Sequence, residues 1–104
     1  MASPEQDFPA SSGVEGERLI FAPVGELDDE VVLREQMQAV IGDFGRAVTI
    51  DLSDVTFLPS LSVGVLVDVL REARAAGSEV ELVADQGTIA HRILLITGLP
   101  HTSR

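Results

Sequence analysis

The chain has 104 residues, 45% of them hydrophobic, and carries 17 acidic against 7 basic side chains, a formal net charge of −10. That length suits one domain built on one core, the apolar content excludes a chain disordered throughout, and the excess of acid disfavours direct contact with nucleic acid or an anionic membrane. The absence of cysteine excludes disulfides, thiolate metal sites and cysteine nucleophiles.

Residues 1–16 are rich in Ser, Pro, Gly and acids and read as a flexible arm, with Phe8 as the one residue that suits it to adding an edge strand. The arm has neither a positive leader nor an apolar core. The longest apolar run, Val63 to Val67, falls far short of the ~20 residues that span a bilayer. A soluble, cytoplasmic protein is the expectation, with its folded domain over 17–104.

The stretch RLIFAPV (18–24) is apolar and β-favouring, with Pro23 marking a strand end or edge. A helix follows in 25–45. Asp28 is the expected N-cap, Asp29 and Glu30 put negative charge on the first turn, and Leu33, Met37, Val40, Ile41 and Phe44 recur at helical spacing. Gly42 and Gly45 supply the stop. RAVTIDLSD (46–54) alternates, with Val48, Ile50 and Leu52 on one face, and reads as a strand leading into VTFLPS (55–60). From Ser60, a stripe of Val63, Leu66, Val67, Leu70 and Ala73 opposes Asp68, Arg71, Glu72 and Arg74 in a second helix ended by Gly77. EVELVA (79–84) is another alternating strand. Ile89, Ile93 and Ile96 carry a third helix with Gly98 as its C-cap. Strand and helix thus alternate, which calls for an α/β fold with a small, mostly parallel sheet and helices packed on it.

Four segments in order carry a resemblance to a known family: VGELD (24–28), VTIDLSDVTFL (48–58), SVGVLV (62–67) and RILLITGL (92–99). Together they make the chain similar to STAS domains, and in particular to bacterial anti-sigma factor antagonists. In those proteins the turn corresponding to 57–64 reads Asp-Ser-Ser/Thr-Gly-Leu, and its first hydroxyl is phosphorylated by a cognate anti-sigma factor that is itself a kinase. Aligned on Phe57 and Gly64, that hydroxyl falls on Ser60. The resemblance implies a non-enzymatic regulator of transcription without a cofactor. Unphosphorylated, it would capture an anti-sigma factor of the histidine-kinase-like ATPase type and free a sigma factor. As a phosphoprotein it would let go. The implied contact residues are Asp28, Leu58, Pro59, Ser60, Leu61, Ser62 and Gly64.

The chain departs from the family pattern at Pro59, where the family has Asp, at Leu61, where it has Ser or Thr, and at Ser62, where it has Gly. Ser62 therefore adds a Cβ where glycine lets a partner's backbone approach most closely. These departures favour an alternative: a STAS scaffold or adaptor that never takes phosphate, either a constitutive antagonist or a subunit of a transport complex. The chain also stops short of the last strand and helix that many relatives carry, which leaves one sheet edge expected to be uncovered. Homodimerisation stays open.

Blander roles stand beside these. Ser60 suits an N-cap worth ~1 kcal/mol to the helix. Asp28 suits a cap, and Leu58 and Leu61 suit either core or interface. Adjacent acids at a helix start are ordinary partners of its dipole, so no metal ligand is assigned. A hydrolase reading would use Ser62 in a partial nucleophile elbow with His91 or His101 as base. It lacks the elbow's first glycine, any sequence feature for an oxyanion hole and the chain length usual for that fold.

Overall fold

Apolar residues at alternate positions of three strands set the layering. In the computed structural model, which describes residues 8–104, β2 (Arg18–Pro23), β4 (Val48–Asp51) and β6 (Val80–Ala84) run parallel, with Leu19, Val48 and Val80 in one rank and Phe21, Ile50 and Leu82 in the next. Because side chains alternate across a sheet, both ranks point to one face. That face is covered by α1 (Glu30–Ile41), α2 (Ser60–Ala75) and α3 (Ile89–Thr97). Leu33, Met37 and Ile41, then Val65, Leu66 and Val69, then Ala90 and Leu94, join the strand residues in one buried cluster. Each of the larger side chains, Ala90 excepted, contributes about 1.5–3 kcal/mol by leaving water. The opposite face carries Thr49 and Glu81 beside Ile20. Arg18 stretches across it, donating to Val48 O at 3.3 Å and Thr49 Oγ1 at 3.1 Å and pairing with Glu79 at 3.4 Å.

The full sheet order is β1-β2-β4-β6-β7. β1 (Ala10–Glu15) lies antiparallel to β2, so residues 10–15 of the segment read as a flexible arm form an edge strand. The rest of that expectation, over 1–7, lies outside the described residues. Phe8, the residue that suggested such a strand, is clamped by Gln36, which accepts from Phe8 N at 3.0 Å and donates to Phe8 O at 2.9 Å. At the other edge β7 (Thr102–Ser103) pairs parallel with Val83 and Ala84. The edge expected to be bare is therefore covered at that end, and among the described residues only there.

Two short strands went unread in the sequence. β3 (Gly25–Glu26) and β5 (Val55–Phe57) form a parallel pair of their own, with Gly25 N donating to Asp54 O at 3.0 Å and Leu27 N to Phe57 O at 2.9 Å. The cap of α1 is Asp29 rather than Asp28: its carboxylate accepts from Val31 N and Val32 N at 3.0 and 3.1 Å. Leu27 takes the last pairing position before the helix and is fully buried. That inward anchor puts Asp28 on the surface and starts the helix one residue late. At the end of α3, Gly98 takes φ 73°, the left-handed conformation that a glycine adopts without strain.

Candidate functional site

The β3–β5 pair brings together two segments about thirty positions apart in sequence: 25–29, which enters α1, and 57–64, which enters α2. A second tie reinforces the first. Ser62, in the first turn of α2, is fully buried and its Oγ donates to Leu27 O. Leu58, only 3% exposed, plugs the core directly below the turn. One turn further on, Arg34 of α1 and Asp68 of α2 form an ion pair at 2.7 Å. The loop 57–64 is thus held from beneath by an apolar plug, a hydrogen bond and a short strand ladder.

Its outer side is open. Pro59 occupies the cap position of α2 with an extended backbone (φ −70°, ψ 163°) and, as proline, offers no side-chain acceptor to the first-turn amides. Ser60 is consequently the first helical residue and not the cap that its sequence position suggested. It is exposed. The Pro59 carbonyl already accepts from Ser62 N and Val63 N, each at 3.0 Å. The two amides of the turn left free to meet an anion are those of Ser60 and Leu61. Leu61 is 65% exposed, and a Cβ built on Gly64 would meet nothing within 4 Å.

Of the seven residues expected to meet a partner, Asp28, Pro59, Ser60, Leu61 and Gly64 lie on this accessible side. Leu58 and Ser62 do not. Both are turned into the fold by the period of a helix start, and the Ser62 Cβ stands under the surface, where it cannot hinder an approaching backbone. Burial of Ser62 also removes the hydrolase reading. Its hydroxyl is committed to Leu27 O, while His91 Nε2 pairs with Ser103 Oγ at 2.9 Å and His101 Nδ1 with Leu99 O at 2.7 Å. Among the described residues no three His, Cys, Asp or Glu converge as a metal site.

Sequence reading missed the surroundings of the turn. Phe57 is 47% exposed at the end of β5, and Val31 is 57% exposed on the first turn of α1. Both are apolar on the accessible side, and exposed Glu26, Asp28 and Asp29 lead along the chain into Val31. The signal for Val31 was present, because it falls off the Leu33–Met37–Ile41 stripe. The surface so formed is apolar in patches and acidic around them. It suits a protein partner that offers apolar side chains together with basic ones.

The sequence matches the family model of the STAS domain over residues 8–102. The fold is similar to that of an anti-sigma factor antagonist from Mycobacterium paratuberculosis, with 24% identity, a TM-score of 0.72 and coverage of 95% of this chain and 84% of that one. It is also similar to a candidate anti-sigma factor antagonist from Thermotoga maritima, with 19% identity, a TM-score of 0.69 and coverage of 93% and 86%.

Proposed function

The chain belongs to the STAS domain family, and on that premise we propose that it is an anti-sigma factor antagonist that works by capture and release. The observation carrying this reading is the exposed Ser60–Leu61 pair on a turn braced from below by Leu58 and Ser62. Leu61 offers an apolar contact to the anti-sigma factor, with Asp28 and Gly64 flanking it. Ser60, its neighbour, takes phosphate from that partner when the partner is an ATPase-type kinase. Bound, the antagonist frees a sigma factor in the cytoplasm. Phosphate adds about −1.5 to −2 charges to the contact. A charge left buried and unpaired in an interface costs about 3–5 kcal/mol, which is about two to four decades of affinity. Release therefore needs no change of fold.

Incubation with the cognate kinase and ATP should add one phosphate, and Ser60→Ala should abolish it. Ser60→Asp should bind the anti-sigma factor about a hundredfold or more weakly. Full-strength binding by Ser60→Asp would refute the switch.

A second reading has its own support. Pro59 supplies neither a cap acceptor nor an acid beside Ser60, and an unmodified scaffold or constitutive antagonist would make the same contacts without the switch. Mass spectrometry of the protein from its own host, under conditions where the kinase is active, separates the two: Ser60 is phosphorylated in one reading and unmodified in the other.

A further inference from the structure

The side of the sheet away from β1 is only half closed. β7 pairs with β6 at Val83 and Ala84, and among the described residues no strand lies beside Val80 to Leu82 on that side. Main-chain groups alternate in direction along a strand. The carbonyls of Glu79 and Val83 accept from Val48 N and Leu52 N of the β4 side. The N–H and C=O of Val80 and the N–H of Leu82 accordingly face the open edge. Above that edge lies α2, and between the two is a cleft of about 610 Å³, with Val67, Leu70, Val80 and Leu82 as apolar lining and Pro100 to Thr102 closing one end.

Charge gives the cleft its character. All seven basic residues of the chain are arginine. Arg18, Arg34 and Arg104 are in ion pairs with Glu79, Asp68 and Asp51. Arg71 and Arg74 are exposed, one turn apart on α2, and both reach the cleft. Neither forms an ion pair among the described residues. In a chain of net charge −10, two free guanidinium groups over an apolar floor and an unpaired strand edge form a local anion-seeking groove. Glu79 and Glu81 also line the cleft, but strand alternation turns their side chains from the face of Val80 and Leu82 to the opposite one, where Glu79 is engaged by Arg18 and Glu81 lies beside Thr49.

We propose that this groove binds an extended acidic peptide segment as an added strand on β6. Its backbone would pair with Val80 and Leu82, an apolar side chain would rest on Val67 and Leu70, and a carboxylate would lie between Arg71 and Arg74. A strand edge selects an extended main chain over a compact solute, and the free arginines select an acid. The site lies away from the 57–64 turn and does not depend on how that turn is used.

The probe is a dye-labelled, end-capped peptide Thr-Val-Thr-Glu-Thr-Val, followed by fluorescence anisotropy and by amide spectra of the 15N-labelled full chain. Saturable binding is expected, with shifts at the Val80 and Leu82 amides. Each exposed guanidinium–carboxylate pair is worth about two- to fivefold in affinity, so a Lys-for-Glu peptide and the double variant Arg71→Gln/Arg74→Gln should each bind about tenfold more weakly. Val80→Pro removes an N–H that no ladder uses, a substitution an edge position tolerates, and should also weaken binding while the amide spectrum of the core stays native. Any of four results overturns the proposal: no saturation up to millimolar peptide, equal binding of the Lys peptide, shifts centred on 57–64 instead, or self-association of the chain that the double Gln variant abolishes. The last would assign the groove to a second copy.

Discussion

Ser60 and Ser62 stand two positions apart and should respond in opposite ways to loss of the hydroxyl. Ser62 Oγ is fully buried and donates to Leu27 O, a bond that spans 35 positions and ties the entrance of α1 to that of α2. Ser62→Ala leaves the Leu27 carbonyl without that donor in a dry site, at a cost of about 1–3 kcal/mol. Alanine returns up to about 0.5 kcal/mol as the better helix former. The net loss should be about 1–2 kcal/mol, or about 5–15 °C in Tm for a domain of this size. Ser60→Ala removes a hydroxyl that caps nothing and should leave stability within about 0.5 kcal/mol. Urea unfolding with an unchanged m-value measures both. Ser62→Ala within about 0.5 kcal/mol of the parent, or a loss in Ser60→Ala of the ~1 kcal/mol of a true cap, would refute this division of roles.

The neighbouring acids make a similar pair. Asp29→Ala deletes the acceptor for Val31 N and Val32 N and should cost about 0.5–2 kcal/mol, while Asp28→Ala should stay within about 0.5 kcal/mol in the same urea titration. In α3, Leu94→Ala opens a cavity under a fully buried side chain and should cost about 2–5 kcal/mol. Ile96→Ala, at a position 76% exposed, should cost less than about 0.5 kcal/mol by thermal unfolding.

The alternating order of elements and the inward stripe of the first helix were legible because their apolar residues recur with a clear period. Leu33, Met37 and Ile41 are buried as their spacing required, as are Val48, Ile50 and Leu52. On the second helix only Leu66 and Ala73 of the expected stripe are buried, Val63, Val67 and Leu70 are half-buried, and Val65 and Val69 take the core positions. The third helix was legible as a helix but not as a face. Six of its nine residues are apolar, so Ile89, Ile93 and Ile96 made as good a stripe as Ala90, Ile93 and Leu94, and only packing against the sheet decides between them. Ile89 and Ile96 are exposed in the outcome. β1 was hidden by composition: Ala-Ser-Ser-Gly-Val-Glu reads as loop until β2 supplies a ladder for it. β3 and β5 were hidden by length, since two and three residues carry no period and their pairing is wholly non-local. The same non-locality explains Ser62. Nothing in its neighbours along the chain announces a carbonyl 35 positions away.

Three of these misses, β3, β5 and Ser62, share one location, and that location bears on function. A contact surface that must keep its shape while one charge is added to it needs rigid support that the added charge does not touch. The supports here are Leu58, Ser62 and the β3–β5 ladder, all turned inward, whereas Ser60 and Leu61 are turned outward on the same helical turn. Pro59 fits this division. Because it offers no side-chain oxygen to the Ser60 and Leu61 amides, those donors remain free for a phosphate on Ser60, and the helix dipole there favours negative charge. The residue that stands in place of the acid beside the proposed acceptor would also leave a phosphate there a ready set of partners. On the proposed reading, phosphate on Ser60 would stabilise the turn locally while making it unfit for a dry interface, so binding would be lost without loss of the fold.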